Sequence, residues 1–269
     1  MIYNIHHLHC GSFCPVCAPL FGQKGWKAHL VCHCLLVETD RGLVLIDTGL
    51  GTQDYLHTQQ RLGSLLTKFG AIVPDIHLSA FHQIQRLGYS LDDVKHIFVS
   101  HLDFDHAGGI SDFPNATVHV LASEFNATQS LSLKGKNRYK TEQFKYHRYW
   151  NFAEQADGEA WFNLQKVKGL PLFQDEILMV PLIGHTLGHS AIAVKKQDGW
   201  ILFCGDAYFS HLELNPKNSL RALDLTERLL AEDNQQRLHN LKQLQYLAQH
   251  EPSIELICAH DPVEFDRYQ

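Results

Sequence analysis

The 269-residue chain has no apolar run near the roughly 18–20 residues that a membrane-spanning helix needs. Nor does it carry an excess of positive charge: 23 Lys and Arg stand against 29 Asp and Glu, a formal net charge of −6. That balance speaks against a nucleic-acid binder, whose docking face is basic. It has no internal repeat, low-complexity tract or Pro- and Gly-rich linker, so residues 1–269 read most simply as one domain. The opening Met1-Ile2-Tyr3-Asn4-Ile5-His6-His7 lacks a basic stretch leading into an apolar one, so we expect no export and a cytoplasmic protein. A paired cysteine set is missing too. Seven cysteines (Cys10, Cys14, Cys17, Cys32, Cys34, Cys204, Cys258) are odd in number and unevenly placed, which disfavours a disulfide framework.

What is present reads as a soluble globular chain. Hydrophobic residues make up 45% and charged ones 19%, and the length is ample for a core. Nineteen histidines are the unusual surplus. They are scattered, and His6-His7 is too short for a tag.

Ala28–Thr39 reads as a strand with Cys32 and Cys34 on one face. Asp40-Arg41-Gly42 marks a turn and Leu43–Ile46 a second strand, which together predict a hairpin ending at Asp47-Thr48-Gly49-Leu50-Gly51. Thr52–Phe69 has helical spacing in Tyr55, Leu62, Leu65 and Leu66, and Ser90 is a plausible helix cap. Short strands are expected at His96–Ser100, Thr117–Leu121, Ile177–Leu182, Ser190–Lys195, Trp200–Cys204 and Ile254–Cys258. Thr226–His250 reads as one long amphipathic helix, and Ala122–Leu170 as an aromatic-rich insert of mostly helix and loop. Sheets packed face to face with helices outside, an α+β plan, follow from that order.

Chemistry concentrates after His96–Ser100. Ser100-His101-Leu102-Asp103-Phe104-Asp105-His106-Ala107-Gly108-Gly109 places two histidines and two aspartates within six residues. Alternation at a strand end brings His101, Asp103 and Asp105 to one side, and His106 joins if the chain turns into a helix. Adjacent carboxylates repel, and burying them needs partners, so a metal is the natural occupant. His185, Asp206 and His260 each follow another expected strand, where a rigid scaffold can aim a ligand. Alone, each would read as an ordinary turn or solvated residue.

Taken in order, His101-x-Asp103-x-Asp105-His106, then His185, Asp206 and His260, resembles the metallo-β-lactamase superfamily, whose motif is His-x-His-x-Asp-His followed by distant His, Asp and His. The resemblance spans about residues 29 to 261 and includes Leu45-Ile46-Asp47-Thr48-Gly49. It implies a four-layer αββα sandwich with a dinuclear metal site at one edge of the sheets. Carried over by position, one ion takes His101, Asp103 and His185, the other takes Asp105, His106 and His260, and Asp206 bridges them. Asp103 departs from the family, which has His there. An anion in place of a neutral ligand hardens the site. Flavodiiron proteins of the superfamily carry a Glu at this position. Zinc is the first expectation, with iron or manganese as alternatives.

The implied function is a metal-dependent hydrolase of a small-molecule ester or lactone, with acyl-homoserine lactones one candidate. A metal-bridging hydroxide attacks the carbonyl and Asp105 handles the proton. Tyr208 is offered as a second catalytic residue because lactonases of the superfamily place a Tyr shortly after the bridging Asp; its spacing from Asp206 differs from theirs, and packing under the site is the other reading. His189 either supports the ligands or simply starts a strand. In the insert, Tyr146, Trp150, Trp161 and Phe162 are candidates for an acyl pocket, for packing onto the sandwich or for a homodimer contact. Cys10, Cys14 and Cys17, with Cys32, His33 and Cys34, offer a structural zinc site or a set of small apolar residues. Rival functions are a diiron redox protein, weakened by the lack of an added flavodoxin-like domain, a phosphodiesterase or thioesterase, and a non-catalytic metal-binding module. A small molecule is the expected partner, with no nucleic acid and no membrane.

Overall fold

The strand Leu30–Thr39 is apolar along most of its length because both of its faces are buried. Cys32, Cys34 and Leu36 belong to one hydrophobic layer, and Leu35 and Val37 to the next. The same period-2 division runs through the neighbouring strand, where Leu43 and Leu45 face one way and Val44 and Ile46 the other. This computed structural model describes residues 1–69, 71–129, 138–154, 158–166, 173 and 175–269.

Six strands build the first sheet: β1 (Ile2–Phe13), β2 (Leu30–Thr39), β3 (Gly42–Ile46), β4 (Val94–Phe98), β5 (Thr117–Leu121) and β6 (Trp150–Ala153). They lie in sequence order, antiparallel from β1 to β3 and parallel from β3 to β6. A small hairpin, β7 (Glu159–Trp161) with β8 (Leu164–Lys166), separates it from the second sheet. That sheet holds β9 (Ile177–Pro181), β10 (Ser190–Lys196), β11 (Gly199–Phe203) and β12 (Ile254–Ile257) in the order β12-β11-β10-β9.

Alternate residues of the second sheet also divide. Ile177, Met179, Ile192, Val194, Ile201 and Phe203 meet the first sheet in a shared layer. Leu178, Val180, Ala191, Ala193 and Leu202 face outward onto helix Asn234–His250, through Leu244 and Leu247. On the far side of the first sheet, Ile84 of helix Ala80–Arg86 and Leu62 cover β2 to β5. Three apolar layers between four structural layers make the αββα sandwich expected from the sequence. Each fully buried Leu, Ile or Val contributes roughly 1.5–3 kcal/mol to holding the layers together.

Two expected helices are broken. Thr52–Phe69 is three short helices, Thr52–Leu56, Thr58–Leu62 and Ser64–Phe69, interrupted at His57 and at Gly63, whose φ is +86°. The long helix expected from Thr226 is two, Arg221–Leu230 and Asn234–His250. Asp233 starts the second by accepting from the N–H groups of Gln235 and Gln236. The break resets the helical register, so Leu229 and Leu238 face solvent while Leu244 and Leu247 are buried. It also does work for the site: the Glu232 and Asp233 N–H groups donate to the carbonyls of His185 and Gly184.

The insert is also corrected. Helix Ala122–Ala127 is there, but Trp150–Ala153 is an edge strand of the first sheet and β7–β8 is a hairpin. Residues 130–137, 155–157 and 167–170 of the insert lie outside the described residues. Strand β1 was not expected, because Ile-His-His-Leu-His carries no clean alternation. It is held by pairing along β2, with irregular register at Ile2/Asn4 and His9/Ser12.

Candidate metal centre

The ends of β4, β9, β11 and β12 each release one part of the cluster. Strand β4 stops at Phe98, earlier than expected, and His101 and Asp103 stand on the loop beyond it. Asp103 then begins the helical turn Phe104–Ala107, its carbonyl accepting from the N–H groups of His106 and Ala107. Asp105 and His106 thus arrive by helical turn and not by strand alternation. Gly205, at φ +52°, turns the chain after β11 toward Asp206. A Cβ there would lie 2.8 Å from both His189 Nε2 and Ser100 Cβ, so only glycine fits.

The side chains sort into two groups. His101, His185 and Asp206 present ligand atoms within 4.8 Å of one another, as do Asp105, His106 and His260. Asp206 divides its oxygens between them. Its Oδ2 lies 3.8 Å from His101 Nε2 and 3.3 Å from His185 Nε2. Its Oδ1 lies 3.2 Å from His106 Nε2 and 3.1 Å from His260 Nε2. Asp103 Oδ2 adds to the first group at 3.4 Å from His101 Nε2 and 3.2 Å from His185 Nε2. Asp105 adds to the second, its Oδ2 3.5 Å from His260 Nε2. All seven residues that the sequence singled out as metal ligands are brought together.

The imidazoles are aimed by what holds their other nitrogen. His106 Nδ1 donates to Asp47 Oδ2 at 2.7 Å, and His260 Nδ1 donates to the Val31 carbonyl at 2.8 Å. Ser100 Oγ donates to Asp47, so His101 Nδ1 donates to Ser100 Oγ at 3.0 Å. In the neutral imidazole this leaves Nε2 facing the cluster with its lone pair, so a cation bound there would displace the proton that the carboxylates otherwise hold on His106 and His260. Asp47 is the common anchor, accepting also from the Ser100 N–H at 2.6 Å. It sits at φ +51°, a left-handed conformation that Asp tolerates better than most residues. Glu124 ties two ligand loops together, accepting from the N–H groups of Leu102 and Gly188. His189 Nδ1 donates to the Leu182 carbonyl and its Nε2 accepts from the Asp206 N–H, so it is neutral and orients the central carboxylate.

Electrostatics set a demand for positive charge. Burial disfavours ionising Asp206, yet His260 and His106 beside it hold its carboxyl well below the usual range. Burial opposes protonation of His260, but Asp206 outweighs it and lifts the imidazole to about 9. His106 is likewise raised, by Asp206, Asp47 and Asp105 against its burial. Burial wins at His185 and His189, which are lowered. Among the described residues, the buried polar atoms without a hydrogen-bond partner include His101 Nε2, His106 Nε2 and Asp206 Oδ1, all in this cluster. Leaving such atoms bare costs roughly 1–3 kcal/mol each. Nitrogen and oxygen donors clustered in this way fit two divalent cations of the zinc, iron or manganese type.

Tyr208 is not brought to the cluster. Its ring is fully buried and its hydroxyl donates to the Glu264 carboxylate, at 3.1 Å from Oε1. The next residue, Phe209, flanks the site instead, its ring 5.4 Å from that of His260 and 6.0 Å from that of His185. The insert aromatics also lie elsewhere. Trp150 packs on Phe125, Phe144 and Phe152, Trp161 packs on Phe162 and Trp200, and Tyr146 is 81% exposed. Cys10, Cys32 and Cys34 are buried in the apolar layer beside β2, Cys17 is exposed, and the metal-competent groups among the described residues contain no cysteine. A surface cavity of about 670 Å³ beside Ile2, His7, Lys196 and Tyr268 contains none of the seven residues. Asp47, Glu124, Arg138 and Phe209 were not anticipated as site residues. Only Asp47 had a sequence signal, its place at the turn after β3.

Comparison with known proteins agrees with this geometry. Residues 29–248 match the family model described as the metallo-beta-lactamase superfamily. A probable metallo-hydrolase of Mycobacterium tuberculosis is 37% identical over 272 residues, covering 99% of this chain and 82% of the relative. An N-acyl homoserine lactonase of Bacillus thuringiensis is 28% identical over 189 residues, 69% of this chain and 67% of that protein. The structure of an N-acyl homoserine lactone hydrolase with N-hexanoyl-L-homoserine at its catalytic metal centre superposes with a TM-score of 0.75. That pair is 21% identical and covers 100% of this chain and 97% of the other, a likeness of fold. The chain belongs to the metallo-β-lactamase superfamily, with the fold of its metal-dependent hydrolases.

Proposed function

We propose that this protein is a dinuclear metal-dependent hydrolase of a small ester or lactone, with N-acyl homoserine lactones the first substrates to test. The observation that carries this is the division of Asp206, one oxygen toward His101 and His185 and the other toward His106 and His260. His101, Asp103 and His185 would hold one ion, and Asp105, His106 and His260 the other, with Asp206 shared. When bound, two divalent cations supply Lewis acidity and a hydroxide nucleophile near neutral pH. Zinc is the first candidate for both positions. Iron or manganese is favoured at the first to the extent that Asp103 makes it harder.

The chain's own groups do the rest. Asp105 keeps its side chain 13% exposed, as Asp103 does, and a carboxylate in partial contact with solvent can take up and return a proton. Phe209 lays an apolar ring over His185 and His260, which keeps water off that side and favours an acyl chain. Asp47, Ser100, Glu124 and His189 hold the ligands so that little reorganisation is needed on binding. The lactonase names among the relatives support the substrate class. The net charge of −6 supports a small molecule over nucleic acid. Seven free cysteines support a cytoplasmic setting, and we read residues 1–269 as one domain.

The test is metal analysis together with a substrate panel of lactones, thioesters, phosphodiesters and β-lactams. We expect two ions per chain and turnover of lactones. Asp105→Asn and His106→Ala should each remove most hydrolysis and lower bound metal. Full activity and full metal in both variants would refute the assignment. Iron in both positions without hydrolysis of any substrate would favour the redox reading prompted by Asp103.

A further inference from the structure

Asp103 uses only one of its oxygens in the cluster. Oδ2 faces His101 and His185, whereas Oδ1 is buried without a hydrogen-bond partner. The Arg138 Nε lies 3.5 Å from that Oδ1. The guanidinium is buried, its side chain 7% exposed, and its other two nitrogens are committed. One donates to the His185 carbonyl at 2.8 Å and the other to the Leu230 carbonyl at 2.6 Å. Glu232 Oε1 also lies 4.0 Å from Nε.

One cation therefore touches both the carboxylate of Asp103 and the main chain of His185, two members of the same candidate ligand set. The planar fork suits this: its two terminal nitrogens each have a carbonyl acceptor, and those bonds hold Nε toward Asp103 Oδ1 at ion-pair distance. Charge matters as much as shape. Asp103, Asp105 and Asp206 converge within a few ångströms of one another's imidazole partners, and a third carboxylate adds repulsion that a neutral ligand would not. A buried guanidinium on its outer oxygen offsets that repulsion and prevents the carboxylate from turning both oxygens inward.

We propose that Arg138 is a positioning residue of the metal centre: it neutralises Asp103, holds it with a single oxygen facing the site, and fixes the His185 loop at the same time. This rests on the dinuclear reading for its metal readout but not for its electrostatic one.

The experiment is a double-mutant cycle. Arg138→Gln and Arg138→Lys are made in the native chain and in Asp103→Asn. Bound zinc per chain, the rate of zinc loss to a chelator, and the melting temperature of chelator-treated protein are measured. In the native background Arg138→Gln should weaken one zinc ion by about 10–100-fold and leave the other in place, as expected for loss of a group that orients a ligand. Arg138→Lys keeps the charge and loses the fork, so it should fall between. With Asn at position 103 the same change should alter zinc affinity by less than about threefold, and it should lower the melting temperature less than it does beside Asp103. Equal effects in both backgrounds would overturn the proposal, leaving Arg138 only as a clamp on two carbonyls. An unchanged Arg138→Gln would do the same. Native protein that binds fewer than two zinc ions refutes the dinuclear reading instead, and the cycle in melting temperature still decides the pairing of Arg138 with Asp103.

Discussion

Replacing Asp47 with Asn changes one oxygen to nitrogen at a residue that touches no candidate metal directly, and should still cost much of the site. Asp47 Oδ1 accepts from the Ser100 N–H, and Oδ2 accepts from Ser100 Oγ and His106 Nδ1. With its amide oxygen kept on the Ser100 N–H, Asn would point an NH₂ at His106 Nδ1. Two donors cannot face each other, so Nδ1 must give up its proton, and the neutral ring then carries its remaining proton on Nε2, the atom that faces Asp206. An Nε2–H is no ligand. Hydrogen bonds to a charged acceptor contribute roughly 1.5–3 kcal/mol each, and one or two are lost, so chelator-treated protein should lose about 2–4 kcal/mol of stability. Metal affinity in the group of Asp105, His106 and His260 should fall by about 10–100-fold. Chelator competition gives the affinity, and nitrogen-15 NMR of the imidazole gives the tautomer. Unchanged chelator kinetics with His106 still protonated at Nδ1 would refute the reasoning.

Three further outcomes are expected. Tyr208→Phe should leave lactone turnover unchanged and lower stability by about 1 kcal/mol, because its hydroxyl serves only Glu264; a tenfold loss in kcat would return Tyr208 to the reaction. His119 is held neutral by burial, with His96 adding to it, at about 3 against 6.5 for the free group, so the folded state disfavours its protonation. Its contribution is present above pH 6.5 and is lost as pH falls toward 3, about 2 kcal/mol by pH 5; in chelator-treated protein His119→Phe should flatten melting temperature against pH over that range, and parallel curves would contradict this. Gly188→Ala would place a Cβ on the Glu124 backbone and should cost about 1–3 kcal/mol or more, measured by urea unfolding, with unchanged stability showing that the two loops can part.

The layers were legible because burial on two faces leaves a continuous apolar strand, as in Leu30–Thr39 and Ile177–Pro181. Pattern failed where polar contacts overrode it. Thr226–His250 looks like one helix until Asp233 caps a new one and the freed N–H groups of Glu232 and Asp233 turn to the His185 loop. Strand β1, rich in histidine, is a strand only because β2 offers it an edge.

For the site, residue type and order, read through the family resemblance they carry, named the seven converging side chains, because ligands need particular atoms and the segments that bear them follow apolar strands. Which lone pairs face inward could not be read that way. Asp47 and His106 are 59 residues apart, and Glu124 meets Gly188 across 64. Arg138 reaches Asp103 from the insert, and Phe209 flanks the histidines while Tyr208, one residue earlier, turns to Glu264. The chain bends at Phe209, and the two neighbouring rings leave it toward different partners, so a shift of one position exchanges a ring beside the candidate ligands for one in the core. Sequence determined the inventory of candidate ligands and the layers. The tertiary structure decided the tautomers, the charge balance and which aromatic ring stands at the site, because these depend on partners that meet only when the sheets close.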